Sequence, residues 1–165
     1  MRIALLTDLH ANREALDACL AHAAGQGADK YAFTGDLVGY GGDPARVLDT
    51  VMEHAARGAI VVKGNHDEAT ASGARPGMHA EAREVIAWTR GQLSAEQLAW
   101  LDALPLTCEL GNMMFVHASA HEPQRWEYVM GLVEAERSLR ASHSRMVFSG
   151  HVHAAALYRR ADDGR

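Results

Sequence analysis

A chain of 165 residues, 48% of them hydrophobic, is long enough for one domain with a real core and too short for two ordinary ones. The formal net charge of -5, with no cluster of lysine and arginine, argues against a nucleic-acid or anionic-membrane surface. The longest apolar runs, such as IALL at 3–6, cannot span a bilayer, and the N-terminus lacks the charged-then-apolar pattern of a signal peptide, so a cytoplasmic protein is expected.

Residues 2–7 (RIALLT) read as a buried strand. Asn12 is placed to cap a helix in which Leu16, Cys19, Leu20 and Ala23 repeat at helical spacing. Residues 30–34 (KYAFT) form a second predicted strand. Asp43 and Pro44 then open a helix that should bury Val47, Leu48, Val51 and Met52. With a third strand at 59–62 (AIVV), the first 63 residues predict β-α-β-α-β, right-handed crossovers and a parallel sheet. Residues 70–77 (TASGARPG) read as a loop. Two helices follow at roughly 79–90 and 95–103, the second opened by a capping box of Ser94 and Gln97. Strands are expected at 107–110, 113–117 and 146–149, with a helix around 130–141 and a further strand at 155–159. The tail, 161–165, is polar and expected to fray. Cys19 and Cys108 have no CxxC spacing and are expected as small buried hydrophobes.

The chemistry-bearing residues fall at the ends of these strands. Asp8 and His10 follow the first, two residues apart, so both can project to one side of an extended backbone. Asp36 follows the second strand, Asn65 and His66 follow the third, and in an open parallel sheet that edge is where ligands bind. His117 ends another strand, and His151 and His153 in GHVH end yet another. One Asp or Asn after a strand is ordinarily a turn former or a cap, and an isolated histidine is ordinarily a satisfied interior residue. The ordered set of seven, Asp8, His10, Asp36, Asn65, His117, His151 and His153, is not explained that way. Imidazole, carboxylate and amide oxygen together suit borderline divalent ions (Mn, Fe, Co, Ni or Zn), and seven donors exceed the need of one. Two ions sharing Asp36 would each have four protein ligands, at the ~3.5–4 Å separation of two-metal hydrolases, which points to phosphoester chemistry.

The blocks D-x-H (8–10), GD (35–36), GNHD (64–67), the strand-ending His117 and GHVH (150–153), in this order, resemble the calcineurin-like metallophosphoesterase superfamily. The likeness is to its small bacterial and archaeal phosphodiesterase-like members, over residues 1 to about 157. It implies a four-layer α/β/β/α sandwich with central mixed sheets. It also implies one metal on Asp8, His10, Asp36 and His153, a second on Asp36, Asn65, His117 and His151, and manganese as the favoured ion. His66 would contact the scissile phosphate and protonate the leaving oxygen, and Asp67 would orient its imidazole by accepting from the other ring nitrogen. The implied activity is hydrolysis of a small-molecule phosphodiester or nucleotide phosphoanhydride by metal-activated hydroxide. The alternatives are a phosphomonoesterase or a non-catalytic metal-binding scaffold, and the oligomeric state stays open. Ala11 and the VHASA turn replace frequent glycine and proline. Tyr40 and Gly41 stand where the phosphoprotein phosphatase branch carries a phosphate-gripping arginine, which argues against that branch. Small members run on past the last histidines into strands that complete the second sheet. Those strands are therefore expected to be missing from the single domain of residues 1–165.

The remaining histidines, His22, His54, His79 and His143, lie outside the motifs and are expected at the surface, as is His121. Trp126 and Tyr128 are expected as core or lid aromatics rather than a base-stacking platform.

Overall fold

The computed structural model describes residues 1–73 and 80–160. Strand β1 (Ile3–Leu6) leads to α1 (Arg13–Gly25), β2 (Lys30–Phe33), α2 (Pro44–Ala56) and β3 (Ile60–Val61). The three strands pair in parallel in the order β1-β2-β3, as the repeated strand-helix pattern predicts. Helices α3 (Asn65–Ser72), α4 (Ala80–Gly91) and α5 (Ala95–Ala103) follow, with α3 packed on both of the others. A second sheet has the order β4-β5-β6, from β4 (Thr107–Leu110), β5 (Met113–Val116) and β6 (Met146–Phe148). It is mixed: β4 runs antiparallel to β5 and β6 parallel to it. Helix α6 (Leu132–Ser142) packs against β6.

Strand alternation sorts the apolar residues into two cores. Leu6, Phe33 and Val61 point to the helices and meet Leu16 of α1, Val47, Leu48 and Val51 of α2, and Leu101 of α5. Ala32, Ile60 and Val62 point the other way and meet Phe115 of the second sheet. The result is the expected order of helices, sheet, sheet and helix. Among the described residues no helix is long and apolar enough to cross a membrane.

Local signals were sound where a side chain closes the turn itself. Asn12 accepts from the Ala15 N–H (2.9 Å), and Ser94 and Gln97 exchange their hydrogen bonds as a capping box. Asp43 occupies its cap position without a side-chain hydrogen bond.

Five expectations give way. Thr70, Ala71 and Ser72 are helical, not loop, because α3 starts at Asn65 and leans on α4 and α5. The rest of that loop, 74–77, and His79 lie outside the described residues, as does the tail. Residues 155–159 form no strand: Leu157 is 92% exposed, so the segment has no sheet to join. Cys19 is exposed and Cys108 half-buried. The cause for Cys19 is an open groove of about 700 Å³ between β1, an edge strand, and α1, which Cys19 lines with Ile3 and Leu5. Met52 is only half-buried. His54 is half-buried rather than fully exposed: its ring packs against Tyr31 (4.7 Å between centroids) and Phe33 (5.7 Å), and burial holds it below the ordinary histidine value. His22 and His143 are exposed as expected, and His121 sits beside Glu122 at 3.7 Å, partly exposed.

Candidate metal centre

The strands deliver their polar residues to one edge. The turns after β1 and β2 are stitched together by backbone: Asp8 N–H to Gly35 O (3.1 Å), His10 N–H to Asp36 O (2.9 Å) and Ala11 N–H to Leu37 O (2.9 Å). Asp8, His10, Asp36, His151 and His153 all have left-handed backbone, φ +46° to +69°. For non-glycine residues this costs of order 1 kcal/mol each, and such residues collect where function requires a particular side-chain direction. Two glycines make room for the carboxylates. A Cβ on Gly64 would strike the backbone and Oδ1 of Asp36, and one on Gly150 would strike Thr7 and Asp8. The glycines of GNHD and GHVH are therefore needed for the close approach of an aspartate from another turn.

The donors gather in two groups, Asp8 with His10 and His153, and Asp36 with His117 and His151. In the first, His153 Nε2 lies 3.1 Å from both Asp8 Oδ1 and His10 Nε2. In the second, His117 Nε2 has Asn65 Oδ1 at 3.0 Å, His151 Nδ1 at 3.1 Å and Asp36 Oδ2 at 3.3 Å. One imidazole nitrogen carries at most one proton and cannot donate to three partners. Around an ion with bonds of about 2.1 Å, neighbouring ligand atoms lie roughly 3.0–3.4 Å apart, so this spacing fits donors sharing a coordination shell.

Three backbone carbonyls sharpen the fit. His117 Nδ1–H donates to Thr34 O (2.9 Å), His151 Nε2–H to Trp126 O (3.0 Å), and His10 Nδ1 faces Val38 O at 3.4 Å. Each partner fixes the tautomer and leaves the opposite nitrogen as a lone pair aimed into the site. The residues present therefore suit a divalent ion. Sequence reasoning missed these partners, since any residue carries a carbonyl and nothing in the chain marks these three.

Asp36 sits between the groups. Its Oδ1 accepts the His66 N–H at the start of α3 (2.9 Å), while Oδ2 lies 3.3 Å from His117 Nε2 and 3.8 Å from His10 Nε2. Burial alone would raise this carboxyl, but the His117 hydrogen bond and charge, with help from His66, hold it below the ordinary value. His117 mirrors this: burial pulls it down, and Asp36 pulls it further up. His10, His66 and His151 are all lowered, chiefly by burial.

His66 is 8% exposed, and its ring meets those of Tyr40 (4.6 Å) and His10 (5.1 Å). The expected contact from Asp67 is absent. Asp67 Oδ1 accepts from Leu37 N–H (2.9 Å) and Val38 N–H (3.2 Å), and Oδ2 from Gly64 N–H (2.8 Å), while among the described residues the buried His66 Nδ1 has no hydrogen-bond partner. Asp67 lies in the first turn of α3 and binds the amides around its N-terminus, which turns its carboxylate away from its neighbour. Trp126 is a buried core aromatic whose ring lies 5.9 Å from that of His117, and Tyr128 stacks on His151 at 4.1 Å.

A parallel sheet whose strand ends converge on a facing mixed sheet through aspartate, asparagine and histidine defines a metal-binding α/β domain. The family model of the calcineurin-like phosphoesterase superfamily domain matches residues 1–164, and the chain belongs to that superfamily. The fold is that of a metallophosphoesterase from Sphaerobacter thermophilus (TM-score 0.80, 36% identity), over 93% of this chain and 61% of that one. An uncharacterised protein of Methanocaldococcus jannaschii is 32% identical over 132 residues, 77% of this chain and 53% of its own. A candidate diadenosine tetraphosphatase aligns at TM-score 0.57 and 27% identity over 73% of this chain and 51% of that one. The chain thus spans between half and two thirds of the length of these relatives.

Proposed function

We propose that the chain is a dinuclear metal-dependent phosphoesterase acting on phosphodiester or nucleotide phosphoanhydride bonds. Asp8, His10, Asp36 and His153 would hold one ion, and Asp36, Asn65, His117 and His151 the other. The observation that carries this is the position of Asp36 Oδ2, which faces His117 of one donor group and His10 of the other. Family membership and the likeness to a candidate diadenosine tetraphosphatase support the phosphoester and phosphoanhydride reading. The nitrogen and oxygen donors suit manganese among the borderline ions. When bound, the ions supply Lewis-acid polarisation of phosphoryl oxygens and activation of water near neutral pH.

The chain's own residues do the rest. Backbone carbonyls of Thr34, Trp126 and Val38 hold three imidazoles with their lone pairs inward. His66 is the proton donor. Burial keeps it neutral at rest, and an anionic phosphoryl group alongside supplies the charge that favours its protonated form, so a ring N–H can pass to the leaving oxygen. Asp67 is a positioning residue, holding residues 37 and 38 against the start of α3 so that Asp36 and His66 keep their register. Trp126 and Tyr128 wall the site on the His151 side.

Protein loaded with Mn²⁺ should hydrolyse an activated aryl phosphodiester. Absence of turnover across several divalent metals, with ion content confirmed, would reject the reading. His66→Ala should keep both ions and lose roughly 10²–10⁴-fold in turnover, whereas unchanged turnover removes His66 from the reaction.

A further inference from the structure

Residues 39–42 read Gly-Tyr-Gly-Gly, and among these glycines the fold keeps Tyr40 at φ +64° with 63% of its surface exposed. A bulky side chain in left-handed backbone costs about 1 kcal/mol or more, and so exposed a ring recovers little of that by burial. Its place is against the site: the ring centroid lies 4.6 Å from that of His66 and 4.8 Å from that of His10.

The same tyrosine lines an open cleft of about 400 Å³ shared with Gly41, Gly42, Glu84, Val85 and Trp88. Trp88, on α4, is 47% exposed. Two large aromatics left open on one cleft, with a lining of glycine that presents no side-chain obstacle, suit a flat ring, because every base has a π-face to stack. Glu84 settles which end of a substrate enters. A carboxylate repels phosphate and accepts from the N–H groups on the edge of a base. The cleft therefore suits the organic end of a ligand, and its shared wall, Tyr40, adjoins the residues that would take the phosphoryl end.

Resting on the phosphoesterase reading above, we propose that this cleft is the base subsite. The substrate is then a nucleotide whose base stacks against Tyr40 and Trp88 while its phosphoryl group reaches the donors beside His66. Specificity for a nucleotide over other phosphate esters resides in these two rings and Glu84, outside the set of metal donors.

The test is calorimetric binding of adenosine 5′-monophosphate and ribose 5-phosphate to the Mn²⁺-loaded protein, two ligands with the same phosphate that differ by the base. The nucleotide should bind roughly ten-fold more tightly, the worth of one stacked base. Trp88→Ala should bring the ratio close to one, and Trp88→Phe, which keeps a stacking face, should restore most of it. Equal affinities in the wild type, with both ligands bound, would overturn the subsite and leave the phosphoesterase reading standing. A ratio that survives both Trp88→Ala and Tyr40→Ala would place the base elsewhere and overturn the subsite too. If neither ligand binds while both ions are confirmed present, the subsite and the reading beneath it fall together.

Discussion

His117 and His151 place their facing nitrogens 3.1 Å apart, yet their surroundings drive the two rings in opposite directions. His117 faces Asp36, which outweighs its burial and lifts it above the ordinary value, whereas burial and the His117 charge both depress His151. In the metal-free protein, imidazole resonances followed by NMR should show His151 losing its proton at lower pH than His117. The reverse order would refute this account of the site's charge. On the proposed ligand set a divalent ion would displace the His117 proton, so metal affinity should fall as the pH drops below the point where that ring is protonated. The candidate donors stand out as single residues because their chemistry is unusual at strand ends. The reason for the neighbouring glycines does not, since it lies in Asp36 and Asp8 pressing on Gly64 and Gly150 from other turns. Gly64→Ala should cost about 1–3 kcal/mol in chemical unfolding, as overpacking does, and abolish metal uptake at the group containing Asp36.

At the scale of elements, the strands and helices of the first 63 residues could be read from local signals: apolar runs, Asn12 as a cap, Pro44 at a first turn. Helix α3 could not. Its buried face is His66, Asp67, Ala69 and Thr70, which shows no apolar stripe, so the pattern resembled a polar turn running into a loop. What holds it is tertiary: packing on α4 and α5, Asp67 on the amides of residues 37, 38 and 64, and Arg90 donating to the Thr70 and Ala71 carbonyls at its far end. The segment 155–159 fails in the opposite sense, having strand-like composition but no partner strand among the described residues. Asp67→Ala would strand three buried N–H groups, and at about 1–3 kcal/mol each the loss should reach roughly 3 kcal/mol or more in urea unfolding of the metal-free protein. Asp67→Asn keeps an acceptor oxygen and should cost less. Burial and Asp36 push the Asp67 carboxyl up to about 7, so below that pH the folded chain retains a proton that the unfolded chain sheds. This group therefore favours folding increasingly as the pH falls from about 7 towards the ordinary carboxylate range. Wild type should gain stability relative to Asp67→Asn between pH 8 and pH 5, and parallel profiles would show that the carboxyl does not titrate there.

Across the described residues the candidate site is where the two sheets meet. Asp8, His10, Asp36 and Asn65 come from the ends of β1, β2 and β3, while His117, His151 and His153 follow β5 and β6. Behind them the sheets share a small core around Ala32, Ile60, Val62 and Phe115. Without ions, the polar contacts at the site include those of Asp36 with His117 and of Asp8 with the His151 N–H and the His153 ring. Ions bound by both groups would join strand ends from both layers, and binding that requires the folded arrangement adds directly to stability. At a hundred-fold excess over the dissociation constant this linkage is worth about 3 kcal/mol, which for a domain of this size raises the melting temperature by roughly 5–10 °C. Thermal unfolding with and without Mn²⁺ should show that shift, and a chelator should reverse it. Asn65→Ala and His153→Ala remove donors from opposite layers, so each should shrink the shift whichever sheet the lost donor came from. A variant that lost its ion while keeping the full shift would show that this ion does not join the two layers.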